Sequence, residues 1–324
     1  MSLTDETETK LEQSLRPVLL SEYVGQSEIK KNLGYLMESA RIRKEPLDHI
    51  LLHGPPGLGK TTLANIIAKE IKANLKVTSG PALEKQGDIA SIITNLTEND
   101  VLFIDEIHRL RAPVEEILYS AMEDFAIDIM IGKGPAAKSM RLKLPRFTLV
   151  GATTKISMIS SPMRDRFGVV YKLQFYSIEE IKEVVLRSSK KLDINLEDDA
   201  ATLIAKSSRQ TPRIANRLLR RVRDFAVVHR KDVIDLQSVS ACLTLMGIDG
   251  LGLEETDRQL LLTIINNFRG GPVGLSTLSA AISDDESTIE DVYEPFLLQL
   301  GMLERTNRGR LVTTKAYHHL NLKI

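Results

Sequence analysis

The run Gly54-Pro55-Pro56-Gly57-Leu58-Gly59-Lys60-Thr61 has the residue types that hold a phosphate chain. Its glycines let backbone N–H groups curl around phosphate oxygens, and a helix opening at its end adds partial positive charge there. Lys60 is spaced to reach the β- and γ-phosphates, and the Thr61 hydroxyl to ligate Mg²⁺. A glycine turn with a purely structural role is the alternative. Against it, the pattern lies between the apolar run His49–Leu52 and an amphipathic stretch of Leu63, Ile66, Ile67 and Ile71. A strand before and a helix after is the context the pattern needs.

Three further groups have matching chemistry. Val101-Leu102-Phe103-Ile104-Asp105-Glu106 reads as an apolar strand that delivers two carboxylates at its end. Ligands of α/β sheets bind at that edge, so Asp105 is a candidate for the Mg²⁺ shell and Glu106 for the base that polarises an attacking water. Leu149-Val150-Gly151-Ala152-Thr153-Thr154 is another strand that runs into small polar residues. A hydroxyl there can sense the γ-phosphate, and Thr154 is preferred to Thr153. Beyond it, Arg164 and Arg166 flank Asp165; an arginine here suits a finger given to a neighbour's site, and a surface arginine is the bland alternative. Thr211-Pro212-Arg213 opens a helix with Arg213 in its first turn. The other arginines of that helix, Arg217, Arg220, Arg221 and Arg223, read as ion-paired or solvated rather than DNA-binding. His108 reads as solvated surface or a subunit contact.

The elements that position these groups follow from periodicity. From about Leu15 to Tyr176, short apolar runs alternate with helical patterns, the rhythm of a mostly parallel sheet. The runs His49–Leu52, Val101–Ile104 and Thr148–Val150 are too short for helices, whereas Val114, Ile117, Leu118, Ala121, Met122 and Phe125 recur at helical spacing. From Ser177 to Met246 the pattern is helical throughout. Gly247–Gly252 is a glycine-rich break, and a tail of short helices follows it, with a strand-like pair around Arg305–Val312.

Composition sets bounds on all this. The 324 residues suffice for two or three domains. Lys+Arg and Asp+Glu both number 43, so any affinity for nucleic acid must come from local patches. One cysteine, Cys242, excludes an internal disulfide and reads as a buried bystander. No apolar stretch reaches the roughly 18 residues of a membrane span, and no signal region opens the chain, so a cytoplasmic protein is expected. Residues before Leu15 are expected to be disordered. The tail has one such patch: from Leu303 onward five Lys and Arg stand against Glu304 alone, while Ser283–Glu294 holds six Asp and Glu and no Lys or Arg. Thr306-Asn307-Arg308-Gly309 reads as a turn that presents arginines on both flanking strands.

The order of phosphate loop, Asp-Glu strand, sensor threonine, finger arginine and helical-zone arginine resembles the AAA+ ATPases. Within them the chain is similar over nearly its whole length to the RuvB family of Holliday-junction branch-migration motors. The residues that carry this include Leu15-Arg16-Pro17, Tyr23-Val24-Gly25-Gln26, Ile104-Asp105-Glu106-Ile107-His108-Arg109-Leu110 and Tyr119-Ser120-Ala121-Met122-Glu123-Asp124-Phe125. Ile127-Asp128-Ile129-Met130-Ile131-Gly132-Lys133-Gly134-Pro135, Gly270-Gly271-Pro272-Val273-Gly274 and Val292-Tyr293-Glu294-Pro295 add the specific stretches.

The resemblance implies a P-loop AAA+ ATPase domain of α/β class over 1–176, an all-α lid over 177–248 and a winged-helix DNA-binding head over 249–324. It implies that ATP with Mg²⁺ is bordered by Leu15, Arg16, Gly57, Gly59, Lys60, Thr61, Thr62, Glu123, Asp124, Phe125, Tyr176 and Arg213. Arg166 would come from the adjoining subunit of a homo-hexamer. A hairpin within 127–144, pairing Ile127–Ile131 with Met140–Leu144, would dock on the junction-binding partner RuvA, and the resolvase RuvC is a further implied partner. Arg305 and Arg310 match the family's DNA-contacting positions, and Arg308 lies at the turn between them. Without a base-reading signature these contacts go to phosphates and carry no sequence preference. Lys155 and Asn307 depart from the residues common in relatives, and Asn307 loosens the expected shape of the wing. Two other classes stay open from the residues alone: a clamp-loader-like ATPase subunit, and a regulator that uses its head for specific DNA recognition.

Overall fold

Apolar runs of four to six residues, too short to bury as helices, become the buried inner strands of a parallel sheet. The structure is a computed structural model and describes residues 14–131 and 138–323. It divides into two compact units, Met1–Tyr176 and Ser177–Ile324. No helix among the described residues is long and apolar enough to cross a membrane.

The first unit holds a five-stranded sheet of order β2-β3-β6-β1-β7. Its strands are β1 Ile50–His53, β2 Leu75–Ser79, β3 Val101–Asp105, β6 Thr148–Thr153 and β7 Val169–Lys172. All pairings are parallel, and the register sets Ser79 beside Asp105 and His53 beside Thr153. Three candidate groups are therefore delivered to one carboxyl edge. The helix Lys60–Glu70 follows β1, with Leu63, Ile66 and Ile67 fully buried. The helix Ala112–Asp124 buries Val114, Leu118, Ala121 and Met122, and stops where Phe125 turns left-handed. Its end leads into the antiparallel hairpin of β4 Ala126–Ile131 and β5 Lys138–Lys143, which pairs Ile127 with Leu142. The turn expected at Gly132 and Gly134 lies outside the described residues, as do those before Ser14.

His49, read as the first strand residue, lies just before β1 and is buried. The Leu149 N–H donates to its Nδ1 at 2.9 Å, which leaves Nε2 to donate to the Met122 carbonyl at 3.1 Å. Burial pushes its pKa below the usual value, so a neutral ring joins β6 to the Ala112–Asp124 helix.

The second unit begins with four helices, Ile178–Lys191, Asp198–Lys206, Pro212–Val228 and Leu236–Leu245. Ser177 and Glu180 cap the first reciprocally, and Asp235 caps the last. Ala215, Leu218, Leu219, Val222 and Ala226 form the buried stripe of the third. Cys242 is buried, as expected. The helices Glu255–Phe268 and Leu275–Ile282, the helical stretch 286–299 and Thr314–His319 then surround a core of Leu260, Leu261, Ile264, Leu278, Leu297 and Met302. The helix Glu255–Phe268 runs 14 residues, longer than the short helices expected here. The strands β8 Leu303–Thr306 and β9 Gly309–Val312 form a hairpin, with Val273 bridged to Arg310 on its far side.

A buried arginine joins the two parts of this unit. Arg209, in the turn before Thr211, pairs with Asp257 of the Glu255–Phe268 helix, and its guanidinium stacks 4.8 Å from the Phe296 ring. Asp257 is fully buried and also accepts the Glu254 N–H at 2.8 Å, so it caps its helix as well.

Candidate nucleotide site and basic wing

Lys60 opens its helix directly beneath the phosphate-type loop, and its ammonium donates to the carbonyls of Gly54 at 2.7 Å and Pro55 at 2.9 Å. Gly57 has φ 82° and Gly59 φ 96°, left-handed conformations that L side chains rarely adopt. A Cβ on Gly59 would also sit 2.7 Å from the Tyr23 hydroxyl. That hydroxyl donates to the Leu58 carbonyl at 3.1 Å, and the Tyr176 hydroxyl lies 3.0 Å from it. Burial holds the Tyr23 phenol well above its ordinary pKa, so it stays a donor. Two buried tyrosines thus brace the loop at the Leu58 carbonyl. The resemblance implies Tyr176 at the site, and Tyr23 joins it through the fold. Leu15 is fully buried in this unit, Arg16 is half-buried, and Thr61 and Thr62 are partly exposed in the first helical turn.

Asp105 ends β3, and its Oδ1 accepts the Glu106 N–H at 2.9 Å. Glu106 takes φ 48° and pairs with Arg109 at 3.1 Å, both side chains about half exposed. Gly80 presses on this turn so closely that a Cβ there would meet the Glu106 carbonyl at 2.4 Å. The paired threonines separate. Thr153 is buried and bonded through Oγ1 to His108 Nδ1 and to the Lys155 N–H, both at 2.9 Å, while Thr154 is exposed. His108, read as solvated surface or a subunit contact, is half-buried and braces the end of β6.

Arg166 pairs with Glu123 at 2.9 Å, donates to the Pro162 carbonyl at 2.7 Å and lies over the Tyr119 ring at 4.7 Å. Asp124 pairs with Arg141 of β5 at 2.6 Å. The Phe125 side chain turns to the core, edge-on to Phe147 at 5.9 Å and beneath the Arg146 guanidinium at 5.7 Å. In the second unit Arg213 is exposed in the first turn of its helix. Of the other arginines there, Arg217 pairs with Glu254, and Arg221 and Arg223 with Asp224, as the ion-paired reading expected.

The wing differs from its expected form. Its turn falls at Asn307 and Arg308, and Arg308 is exposed. Arg305 and Arg310 face one another across the strands, and two like charges so placed repel. Glu290 and Glu294 resolve the conflict: Arg310 is buried against Glu294, and Arg305 pairs with Glu290, with Glu294 at 3.9 Å. Glu290 and Glu294 of the acidic segment are therefore folded onto the wing, while Asp285 and Glu286 stay exposed. Arg310 is not displayed to solvent; Arg308 and part of Arg305 are.

Comparison with known proteins decides what such an arrangement belongs to. The model of the RuvB Holliday junction DNA helicase P-loop domain matches residues 15–173, that of the RuvB AAA lid domain 176–249 and that of the RuvB C-terminal winged helix domain 250–321. The chain belongs to the RuvB family. A solved lysine-to-arginine variant of Thermotoga maritima RuvB is 52% identical with a TM-score of 0.89, covering 96% of this chain and 99% of that one. The structure of the Thermotoga maritima RuvB Holliday junction branch migration motor is 51% identical with a TM-score of 0.88, over the same shares. The family is one of nucleotide-binding P-loop ATPases that drive branch migration on DNA, which sets aside the clamp-loader and regulator readings.

Proposed function

We propose that the chain works as a homo-hexameric ring that hydrolyses ATP between subunits and draws duplex arms through a four-way junction held by RuvA, with RuvC as a further partner, in the cytoplasm. Residues 1–176 form the ATPase domain, 177–248 the lid and 249–324 the DNA-binding head. The single observation that carries the reading is the convergence of Lys60, Asp105, Glu106 and Thr154 at one carboxyl edge of the parallel sheet.

The residues fit a nucleotide with Mg²⁺. The loop's left-handed glycines and the helix N-terminus make an anion cradle. A cation bound with a nucleotide takes one hydroxyl, one carboxylate and phosphate oxygens instead of a protein cage. Thr61 and Asp105 would hold it, and its charge would neutralise that developing on the phosphates. Lys60 exchanges its loop carbonyls for phosphate oxygens. Glu106 gives up Arg109 to orient and deprotonate the attacking water. Thr154 hydrogen-bonds the γ-phosphate side, and Arg166 of the next subunit stabilises the charge there. Leu15, Arg16, Thr62, Tyr176 and Arg213 border the nucleotide, as do Glu123, Asp124 and Phe125, Phe125 through its backbone. The hairpin within 127–144 docks on RuvA. Arg305 and Arg308 contact phosphates, and Arg310 acts by shaping the wing.

The test follows a labelled synthetic four-way junction on native gels with the chain, RuvA, ATP and Mg²⁺, with Lys60→Ala as control. ATP-dependent conversion to two-armed products, absent in the control, is expected. Vigorous hydrolysis without junction dissociation would overturn the coupling.

A further inference from the structure

Tyr119 is the one aromatic ring beneath the Arg166 guanidinium among the described residues, its centroid 4.7 Å from Cζ. Its hydroxyl donates to Glu115 Oε2 at 2.7 Å and lies 2.8 Å from Ser160 Oγ, which itself donates to the same oxygen at 2.9 Å. Burial and the Glu115 contact hold the phenol above its ordinary pKa, so it remains a donor. Ser160 also accepts the Met163 N–H at 3.4 Å and so caps the short helix that leads to Arg166. One hydrogen-bonded cluster thus fixes both the ring under the guanidinium and the backbone before it.

We propose that Tyr119 is a positioning residue for Arg166, a platform that keeps the guanidinium plane fixed while its edge exchanges partners. A guanidinium stacks through its face and hydrogen-bonds through its edge, so the two engagements do not compete. Of its two edge partners, the Pro162 carbonyl and Glu123, Glu123 is 65% exposed and makes the kind of pair that is easily given up. The ring keeps its hold as the edge turns from Glu123 to a phosphate on the neighbouring subunit. This rests on the reading of Arg166 as a finger that acts in trans.

The experiment compares Tyr119→Leu, Tyr119→Phe and Arg166→Ala in the full chain, each alone and mixed with Glu106→Gln subunits. Tyr119→Leu is expected to lower ATP turnover about tenfold, the scale of a lost cation–π contact, with nucleotide affinity within about twofold. Tyr119→Phe keeps the ring and is expected to retain most turnover. Mixing with Glu106→Gln, which cannot hydrolyse but donates an intact finger, is expected to restore turnover to Tyr119→Leu. Subunit exchange followed by fluorescence transfer establishes that mixed rings form. If Arg166→Ala recovers in such rings and Tyr119→Leu does not, Tyr119 acts on its own site and the platform is wrong. Wild-type turnover in Tyr119→Leu also overturns it. If Arg166→Ala itself fails to recover, the trans reading falls and takes the proposal with it. Should Tyr119→Leu not fold, Tyr119→Met, which fills similar space without a ring, takes its place, and its recovery in mixed rings decides the same question.

Discussion

Arg166 in the first unit and Arg209 in the second each stack on an aromatic ring and hold one carboxylate, yet they are built for opposite ends. The Arg166 side chain is 28% exposed and its partner Glu123 65%, whereas Arg209 is 9% exposed and Asp257 not at all. The second unit also holds half-exposed pairs, Arg217 with Glu254 and Arg305 with Glu290 among them, so the contrast lies between particular pairs. Glu106 with Arg109 and Asp124 with Arg141 lie half in solvent, while Arg310 with Glu294 is buried. An exposed pair contributes about 0–1 kcal/mol and can be surrendered to a phosphate or a neighbour. A buried pair cannot be opened without leaving a desolvated charge, at about 3–5 kcal/mol. Charges expected to act in turnover are thus held loosely, and charges that hold the lid-and-head unit in shape are sealed.

Substitutions can break or sharpen that contrast. The largest effect is expected from Arg166→Ala: steady-state ATPase assays should show turnover lower by about 10³-fold or more, the worth of an arginine finger, with ATP binding and melting temperature nearly unchanged. A large fall in melting temperature would mean that Arg166 is structural after all. Arg209→Ala is expected to do the reverse, destabilising the Ser177–Ile324 unit by about 3–5 kcal/mol in denaturant titrations. The double change Arg209→Met with Asp257→Leu should recover most of that loss, because it leaves no charge buried without a partner.

A smaller effect tests the wing. Glu290→Gln frees Arg305, so duplex affinity should rise several-fold, and the slope of log K against log salt should steepen by about one phosphate's worth, ~0.9. An unchanged slope would place Arg305 outside the DNA contact. The smallest effect concerns His49. Burial lowers its pKa, so as pH falls through about 6.5, the unfolded value, the unfolded chain takes up a proton that the folded ring refuses. Its stabilisation is therefore complete above that pH and declines below it. The stability gap between wild type and His49→Asn, from urea midpoints, should narrow as pH drops from 7.5 to 5.5 (assay pH values, about one unit either side of 6.5). A gap independent of pH would show that the ring is not held neutral.

Much of this could be read from residue order alone. The phosphate loop, the Asp105–Glu106 strand end and the helix through Val114 and Met122 were legible, because steric and hydrophobic periodicities act over a few neighbouring residues. The proline that opens the helix bearing Arg213 and the turn at Asn307–Arg308 were legible for the same reason. The limits are local too: His49 stands directly before an apolar run and so reads as part of its strand, and only the folded chain shows its ring tied to Met122 and Leu149. Tyr119 under Arg166 is separated from it by 47 positions, and Glu290 and Glu294 from their wing arginines by about 15. An excess of arginines in the tail could be counted, but whether each faces solvent or a buried glutamate could not. The sequence determined which chemistry is present and in what order it is delivered to the sheet's edge. The tertiary structure decided which charges stay free to act, since that depends on burial and on partners that neither spacing nor composition encodes.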